Sequence, residues 1–363
     1  MKYPYRQDIS RKALIAAAAV SLLAAAGTYL FILEKPGPAT AAADRAARTM
    51  QRCLTAIRTH CRSAGIPLEK KADPNRTWLI GPEQTPITTT LGHLDAKRTA
   101  TNPRTAGLIT ELLIEAGVTE GDRVAIGSSG SFPGLMIASV CAVQALQAEP
   151  VIILSCGSSS FGATRPEFTL IDMYQLLFDK GIFTRSPAGI SLGGRSDIGE
   201  EFPDTLRTRL IAELSGGDIH FIYEPRLQEN LKTRMAIYRQ NETAAFINCG
   251  GGFANMGTSS RILYVKPGLN RNLNLPPEKT WGTIFAMAAA DVPVIHLLFI
   301  KGLAARYGLI WDPVPLPEAG HTGVRRVPKR KRTMFFMLFG LYLGGLAALI
   351  AGEIRPHHLI HNS

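Results

Sequence analysis

Three loops of the sequence carry residues whose types suit ligand binding, and each loop follows a hydrophobic segment. In chain order, their small polar residues are Gly127, Ser128, Ser129 and Gly130, then Gly157, Ser158 and Ser159, then Asn248, Gly250 and Gly251. Glycine lets a backbone approach a ligand closely, serine supplies a hydroxyl, and the N–H groups of a following helix attract an anion. The loops therefore predict a carboxylate- or phosphate-binding site, although plain strand-to-helix turns have the same composition.

A serine nucleophile with a histidine base is a second chemistry that these residues allow. Ser129 or Ser131 would attack a carbonyl, and His93 or His296 would accept the proton. Residues 127–131 approach the G-x-S-x-G pattern of serine hydrolases, but Ser131 replaces its closing glycine. His296 also fits a hydrogen-bonded core histidine, because its surroundings in the sequence are hydrophobic.

Two cationic residues, Lys97 and Arg98, follow His93 in a polar, threonine-rich stretch. They could hold an acidic ligand, or they could form the solvated start of a helix. No G-x-x-x-x-G-K-[ST] motif is present, which excludes a P-loop ATPase, and no histidine and acidic pattern indicates a metal site. No particular cofactor is indicated.

The five cysteines are scattered and form no C-x-x-C pair. Their spacing predicts small buried hydrophobic residues. A disulfide between Cys53 and Cys61 is the alternative if those residues face an oxidising compartment.

The elements that must position these residues alternate between strands and helices. Continuous apolar segments such as DRVAIG, EPVIILSC, DIHFIYE and TAAFINC alternate with helical ones, which predicts a doubly wound, mostly parallel α/β domain over residues 77–320. Residues 34–76 are predicted to form a linker and an amphipathic helix. In such a sheet the ligand site lies beyond the carboxyl ends of the strands, where the three loops would meet.

Two uncharged apolar segments predict transmembrane helices on either side of this domain, at residues 13–33 and 333–352. The remaining parts are a basic tail (1–12), a basic juxtamembrane segment (321–332) and a tail (353–363). A cleaved signal peptide is the alternative for the first segment. A third apolar stretch, Gly282–Ile300, contains Asp291 and Pro293, and is predicted instead as a buried helix, a strand and a helix.

The charge distribution bears on partners and on location. The net charge is +11, but residues 34–320 carry only +2, so a nucleic-acid partner is not expected. The basic segment beside the second span would contact anionic lipid through Arg325, Arg326, Lys329, Arg330, Lys331 and Arg332. The expected location is the bacterial cytoplasmic membrane. The positive-inside rule, summed over both spans, favours a cytoplasmic side for the large domain, whereas the +3 charge of the tail before the first span favours the opposite side.

Several long strings in the sequence are similar to those of one known family. GPEQTPITTTLGHLDAKRTATNP, GDRVAIGSSGSFPGL, SCGSSSFGATRPEFTLIDM and FINCGGG resemble the poly-gamma-glutamate system protein family, over residues 78–320. Cys156, Cys249 and Arg165–Glu167 depart from its pattern. The resemblance implies work alongside the poly-gamma-glutamate synthase membrane complex, with poly-gamma-glutamate or a glutamyl group as ligand. It implies no catalytic residue.

Two functions follow as expectations. The first is a membrane-anchored, non-catalytic accessory component of poly-gamma-glutamate synthesis or export, for a capsule or secreted polymer, in which the loops bind a carboxylate or phosphate. The second is a serine-type hydrolase or transferase that acts on gamma-glutamyl amide bonds.

Overall fold

The structure is a computed structural model, and it describes residues 15, 17–22, 24, 38–250, 252–319, 336, 337 and 339–348. The chain divides into two compact units. One comprises residues 1–36 and 325–363, and the other comprises residues 37–324. In the first unit the described residues are helical, and the Ser21 hydroxyl lies 2.8 Å from the Tyr342 hydroxyl.

The larger unit is an α/β domain. Its helices are α1 (Pro38–Ser63), α2 (Leu94–Ala100), α3 (Arg104–Ala116), α4 (Pro133–Ala145), α5 (Leu170–Asp179), α6 (Asp204–Ser215), α7 (Leu227–Tyr238), α8 (Phe253–Met256), α9 (Thr283–Ala289) and α10 (Ile300–Tyr307). Its strands are β1 (Thr88–Thr90), β2 (Arg123–Ser129), β3 (Glu149–Ser155), β4 (Ser158–Ser159), β5 (Gly189–Ser191), β6 (Ala245–Asn248), β7 (Gly268–Asn270) and β8 (Val294–His296).

Six of these strands form the main sheet in the order β5-β3-β2-β6-β8-β7. All neighbours are parallel except β7 and β8, which are antiparallel. The sheet is therefore mixed, with a parallel centre, and the α/β part of the prediction is confirmed. A separate two-stranded sheet pairs β1 with β4.

Helices cover both faces of the main sheet because successive strand residues point to opposite sides. Val124 and Ile126 pack into a core with α1, α3 and α4, whereas Ala125 and Phe246 pack into a second core with α7 and α9. Strands buried on both faces need continuous apolar sequence, which is why β2 and β3 read as uninterrupted hydrophobic runs.

The Gly282–Ile300 stretch is, as predicted, a helix (α9) and a strand (β8) followed by a second helix (α10). The predicted strand at residues 218–224 is reduced to a single bridge between Ile190 and Phe221. This bridge lies beside β5, which has only three residues to pair with. All five cysteines are buried and free, so Cys53 and Cys61 form no disulfide.

The prediction of flanking transmembrane helices is wrong on the evidence of the described residues. None of the helices there is both long and apolar enough to cross a membrane. A bilayer core requires about 20 apolar residues in one helix. The predicted two-span location in the bacterial cytoplasmic membrane loses its support with them. The remainder of both segments and the basic residues 325–332 lie outside the described residues.

A buried ion pair fixes the loop that follows β5. Arg234 of α7 donates to the Asp197 carboxylate at 2.6 Å, and both side chains are almost wholly buried. The same carboxylate accepts hydrogen bonds from Ser191 at 2.9 Å and from Asn230 at 3.0 Å. Asp197 has a positive φ of 64°, a strained backbone that this set of bonds holds in place.

Removing the carboxylate should therefore destabilise the domain strongly. Asp197→Ala leaves the buried Arg234 guanidinium without its partner, which should cost about 3–5 kcal/mol of unfolding free energy. Asp204→Ala breaks an exposed pair with Arg207 and should leave stability unchanged within error. Urea denaturation of the full chain measures both, and equal small losses would contradict a structural role for the Asp197 pair.

Candidate active site

The three predicted loops meet at the carboxyl-terminal edge of the main sheet. The Gly130 N–H donates to the carbonyl oxygens of Ser155 and Gly157, both at 3.0 Å, which joins the first loop to the second. The third loop packs against the first, since a Cβ at Gly250 would lie 2.3 Å from the Ser129 hydroxyl. Gly251 lies outside the described residues. The order of the strands along the chain reverses between β2 and β6, which is where open sheets of this type bind ligands.

At this edge a lysine and a serine from distant parts of the chain are in direct contact. Lys97 Nζ of α2 donates to the Ser159 hydroxyl oxygen at 2.5 Å. It also donates to the Ser131 carbonyl oxygen and lies 4.0 Å from the centre of the Phe132 ring. Lys97 is 2% exposed and Ser159 is 7% exposed. The two residues form what we call the Ser159–Lys97 pair.

The backbone around Ser159 is held from two sides. Its strand β4 pairs with β1, so that Thr90 lies opposite Ser159. The Ser159 N–H donates to the Ser131 hydroxyl oxygen at 3.1 Å. Two residues beyond Ser159, Phe161 has a positive φ of 64°, an unfavourable conformation for a bulky residue. The serine therefore occupies a fixed position in a strained turn.

Gly92 makes room for the pair. A Cβ at this position would lie 3.2 Å from the Ser159 hydroxyl oxygen, 3.0 Å from Lys97 Cε and 2.6 Å from the Ser160 carbonyl oxygen. The last contact is closer than a Cβ tolerates, and it involves backbone rather than a flexible side chain. A glycine is thus needed next to the pair on steric grounds.

The burial of Lys97 determines its protonation. Removal from water disfavours the ammonium form and lowers the pKa of Lys97 from 10.5 to about 7. A substantial fraction of the side chain is then a neutral amine near pH 7. A neutral amine in contact with a hydroxyl can accept its proton, which is the requirement for a general base.

The predicted histidines lie in different surroundings. His93 is exposed at the amino terminus of α2 and makes no capping hydrogen bond with its side chain. His296 is buried at the end of β8, where its Nδ1 is 3.2 Å from Asn248 Nδ2. Burial lowers the pKa of His296 to about 4, so its ring is neutral at physiological pH. No hydrogen bond among the described residues joins either histidine to Ser129 or Ser131.

Arg98, the second predicted cation, is engaged elsewhere. Its guanidinium forms two hydrogen bonds to the Asp312 carboxylate, with Nε to Oδ1 at 2.5 Å. This pair anchors the segment that follows α10 to helix α2. Lys97 is likewise occupied by protein oxygens. Both cations that the sequence offered for an acidic ligand therefore have partners within the domain.

A second polar group lies at the switch point between β2 and β6. The Asn255 amide packs against Gly127, where a Cβ would lie 2.6–2.9 Å from it. The buried oxygens of the Ser128 and Ser129 hydroxyls and of the Asn248 and Asn255 amides have no hydrogen-bond partner within the described part of the chain. These four oxygens can therefore still accept hydrogen bonds from a ligand bound next to the loops.

Other reactive groups are less suited to catalysis. Burial raises the pKa values of Cys156 and Cys249 to about 12, so neither is a thiolate at neutral pH. Among the described residues, no group of three or more histidine, cysteine or acidic side chains could hold a metal ion. The sequence predicts Lys97 and Ser159 only as separate ligand contacts, because no spacing pattern links residues this far apart. It gives no signal for Asn255.

Comparison with known proteins adds no relative: the chain matches no family model, no curated protein and no solved structure. The similarity to the poly-gamma-glutamate system proteins therefore stays a prediction from the quoted strings.

The lowered pKa of Lys97 predicts a specific pH dependence of stability. Between pH 7 and about 10 the unfolded lysine binds a proton that the folded one has lost, so this residue makes the protein more stable as the pH rises. The slope approaches about 1.4 kcal/mol per pH unit. Lys97→Met should remove this contribution.

Urea denaturation of both proteins at pH 7.0, 7.75 and 8.5 measures the effect. The buried cysteines and tyrosines are common to both proteins, so the difference between their stabilities isolates Lys97. A difference that does not change over this pH range would mean that Lys97 keeps an ordinary pKa.

Proposed function

We propose that this protein is a serine–lysine acyl hydrolase or transferase, with Ser159 as nucleophile and Lys97 as general base. One observation carries the proposal: Lys97 Nζ and Ser159 Oγ lie 2.5 Å apart, and burial makes the amine partly neutral at pH 7, so that its lone pair can accept the hydroxyl proton. A nucleophile and base within hydrogen-bond reach, with the base held by a third group, is the arrangement that activates a serine. Here the third group is the Ser131 carbonyl oxygen.

The reaction would proceed through an acyl-enzyme. Ser159 Oγ attacks the carbonyl carbon of an amide or ester while its proton passes to the neutral Lys97 amine. The tetrahedral intermediate collapses as the Lys97 ammonium returns that proton to the leaving amine or alcohol. Water, or the amine of an acceptor, then attacks the acyl-serine with Lys97 again as base. Serine–lysine pairs on unrelated folds use the same division of roles.

This assignment replaces the serine–histidine arrangement expected from the sequence. The Ser131 carbonyl oxygen accepts a hydrogen bond from Lys97, and its hydroxyl oxygen accepts one from the Ser159 N–H. Ser131 therefore positions both residues of the pair. His296 is paired with Asn248 rather than with a serine. The amide oxygens of Asn248 and Asn255 at the switch point, which have no partner among the described residues, could accept hydrogen bonds from the polar groups of a substrate.

The substrate class rests on the sequence resemblance alone. We propose a gamma-glutamyl amide as the bond acted on, and poly-gamma-glutamate synthesis or export as the pathway in which the poly-gamma-glutamate synthase is a partner. A purely binding role in that pathway stays open as the competing proposal. The binding role differs from the catalytic role in one respect: binding does not require the Ser159 hydroxyl.

A serine-directed covalent probe tests the nucleophile. A small alkyl fluorophosphonate should add one adduct to the full chain, on Ser159, because loss of fluoride leaves a phosphorus–oxygen bond to the activated serine. Ser159→Ala should abolish the adduct, and Lys97→Met should slow its formation at pH 7.5 by at least 100-fold. Intact-mass and peptide mass spectrometry measure the extent and the position.

Ser160→Ala is the matched control, since this neighbouring buried serine makes only a weak contact with the Thr90 carbonyl oxygen at 3.4 Å. It should be labelled at the wild-type rate. Hydrolysis of gamma-glutamyl p-nitroanilide by the same four proteins tests the substrate class separately. Labelling that persists in Ser159→Ala would overturn the nucleophile, whereas labelling without hydrolysis would overturn only the substrate.

A further inference from the structure

The domain has a cavity of about 600 Å³ that is not part of the Ser159–Lys97 pair. It lies between the carboxyl-terminal end of α1 and the segment 64–78, which folds back over that helix. Four cationic residues line it, Arg58, Arg62, Lys70 and Arg76, together with Asp73 and the apolar side chains of Leu68, Pro74 and Trp78. We call it the basic cavity. Its volume lies within the range of small-molecule sites.

The cavity carries an excess of positive charge, because its lining has four cations and one carboxylate, Asp73. None of the ion pairs within the described residues includes any of the four cations. The Asp73 carboxylate is occupied by the N–H groups of Thr77 and Trp78 at 2.8 and 2.7 Å and by the Thr77 hydroxyl. Like charges gathered in a concave surface raise its positive potential and attract anions.

Hydrogen bonds within the cavity wall hold it in one conformation. Arg76 and Trp78 have positive φ values of 53° and 58°, and the Asp73 bonds hold this turn in place. Arg58 Nε donates to the Arg76 carbonyl oxygen at 3.0 Å, and the Trp78 indole N–H donates to the Ile66 carbonyl oxygen at 3.0 Å. The turn thus places two arginines of α1 and one of the segment around the same space.

The lining discriminates between kinds of anion. Guanidinium groups suit carboxylates and phosphates alike, because both accept paired hydrogen bonds. The apolar surfaces of Leu68, Pro74 and Trp78 would gain nothing from a bare phosphate, but they can bury the methylene groups of a carboxylate carried on a short aliphatic stem. A peptide with several adjacent glutamyl side chains combines both features.

We propose that the basic cavity is a binding site for an acidic peptide with glutamyl-type side chains. The site is independent of the serine chemistry, although its wall is connected to the loop that carries Ser159. Arg165 of that loop donates to the Pro67 carbonyl oxygen at 2.9 Å and to the Glu69 carboxylate at 3.0 Å. An acidic chain held in the cavity would be bound to the same rigid domain as the nucleophile.

Isothermal titration of the full chain with a tri-glutamate peptide at 20 mM and 200 mM NaCl tests the proposal. We expect saturable binding that weakens at least tenfold at the higher salt, and no binding of tri-glutamine. Arg58→Gln with Arg62→Gln should weaken tri-glutamate binding at least tenfold. Arg48→Gln with Arg52→Gln, which removes the same charge from exposed positions on the same helix, should change it less than twofold.

Three results would overturn the proposal: no saturable binding of tri-glutamate, an equal loss in both double variants, or tighter binding of tripolyphosphate than of tri-glutamate. If loss of the Arg58 bond unsettles the turn, Arg62→Glu reverses a charge at an exposed position and must still weaken binding. Ser159→Ala should bind tri-glutamate as the wild type does, so failure of the catalytic proposal and failure of this one are distinguishable.

Discussion

The burial of Lys97 is the physical constraint around which the loops at the carboxyl-terminal edge of the main sheet are arranged. An ammonium group loses much of its hydration in this position, and among the described residues it is replaced by the uncharged oxygens of Ser131 and Ser159 and by the Phe132 ring. The protonation equilibrium of Lys97 therefore shifts toward the neutral amine, which lies in contact with the Ser159 hydroxyl. The glycine at position 92 follows from the same constraint, because a Cβ there would lie 3.0 Å from Lys97 Cε.

The sheet explains how such distant residues meet. Ser131 follows β2, Ser159 follows β3, and Lys97 comes from a helix that precedes both strands in the chain. The parallel pairing of β2 with β3 brings the two loops to one edge, and the small β1–β4 sheet holds Ser159 against them. Beyond β5, the Asp197–Arg234 ion pair fixes a different loop, and neither of its residues bonds to Ser159 or Lys97 within the described part of the chain. The buried ion pair and the Ser159–Lys97 pair are thus two separate polar networks in the same domain.

Much of the central fold could be predicted from the sequence because strands buried on both faces read as continuous apolar runs. Residues 123–129 and 149–155 did so, and the loops after them were correctly placed at one edge. The membrane segments were predicted from apolar length alone, and no helix among the described residues is both long and apolar enough to cross a membrane. The strand predicted at residues 218–224 is longer than the single bridge that forms at Phe221, because β5 at the edge of the sheet has only three residues to pair with.

The site was less predictable for a physical reason. A serine and a base are recognised by their spacing only when one local turn carries both, whereas Ser159 and Lys97 are joined by tertiary packing. His93 and His296 were attractive because an unperturbed histidine titrates near neutral pH. A lysine reaches the same range only through burial, and burial of a charged residue type cannot be inferred from a polar sequence context such as that around Lys97.

The protonation of Lys97 is the quantity on which this account depends most directly. Lysine side chains labelled with ¹³C at Cε report their charge by NMR, and the Lys97→Met protein assigns the signal in the full chain. We expect this signal to titrate with a pKa near 7. A Lys97 signal that titrates above pH 10 would leave the amine charged at neutral pH, and it could not serve as the base for Ser159.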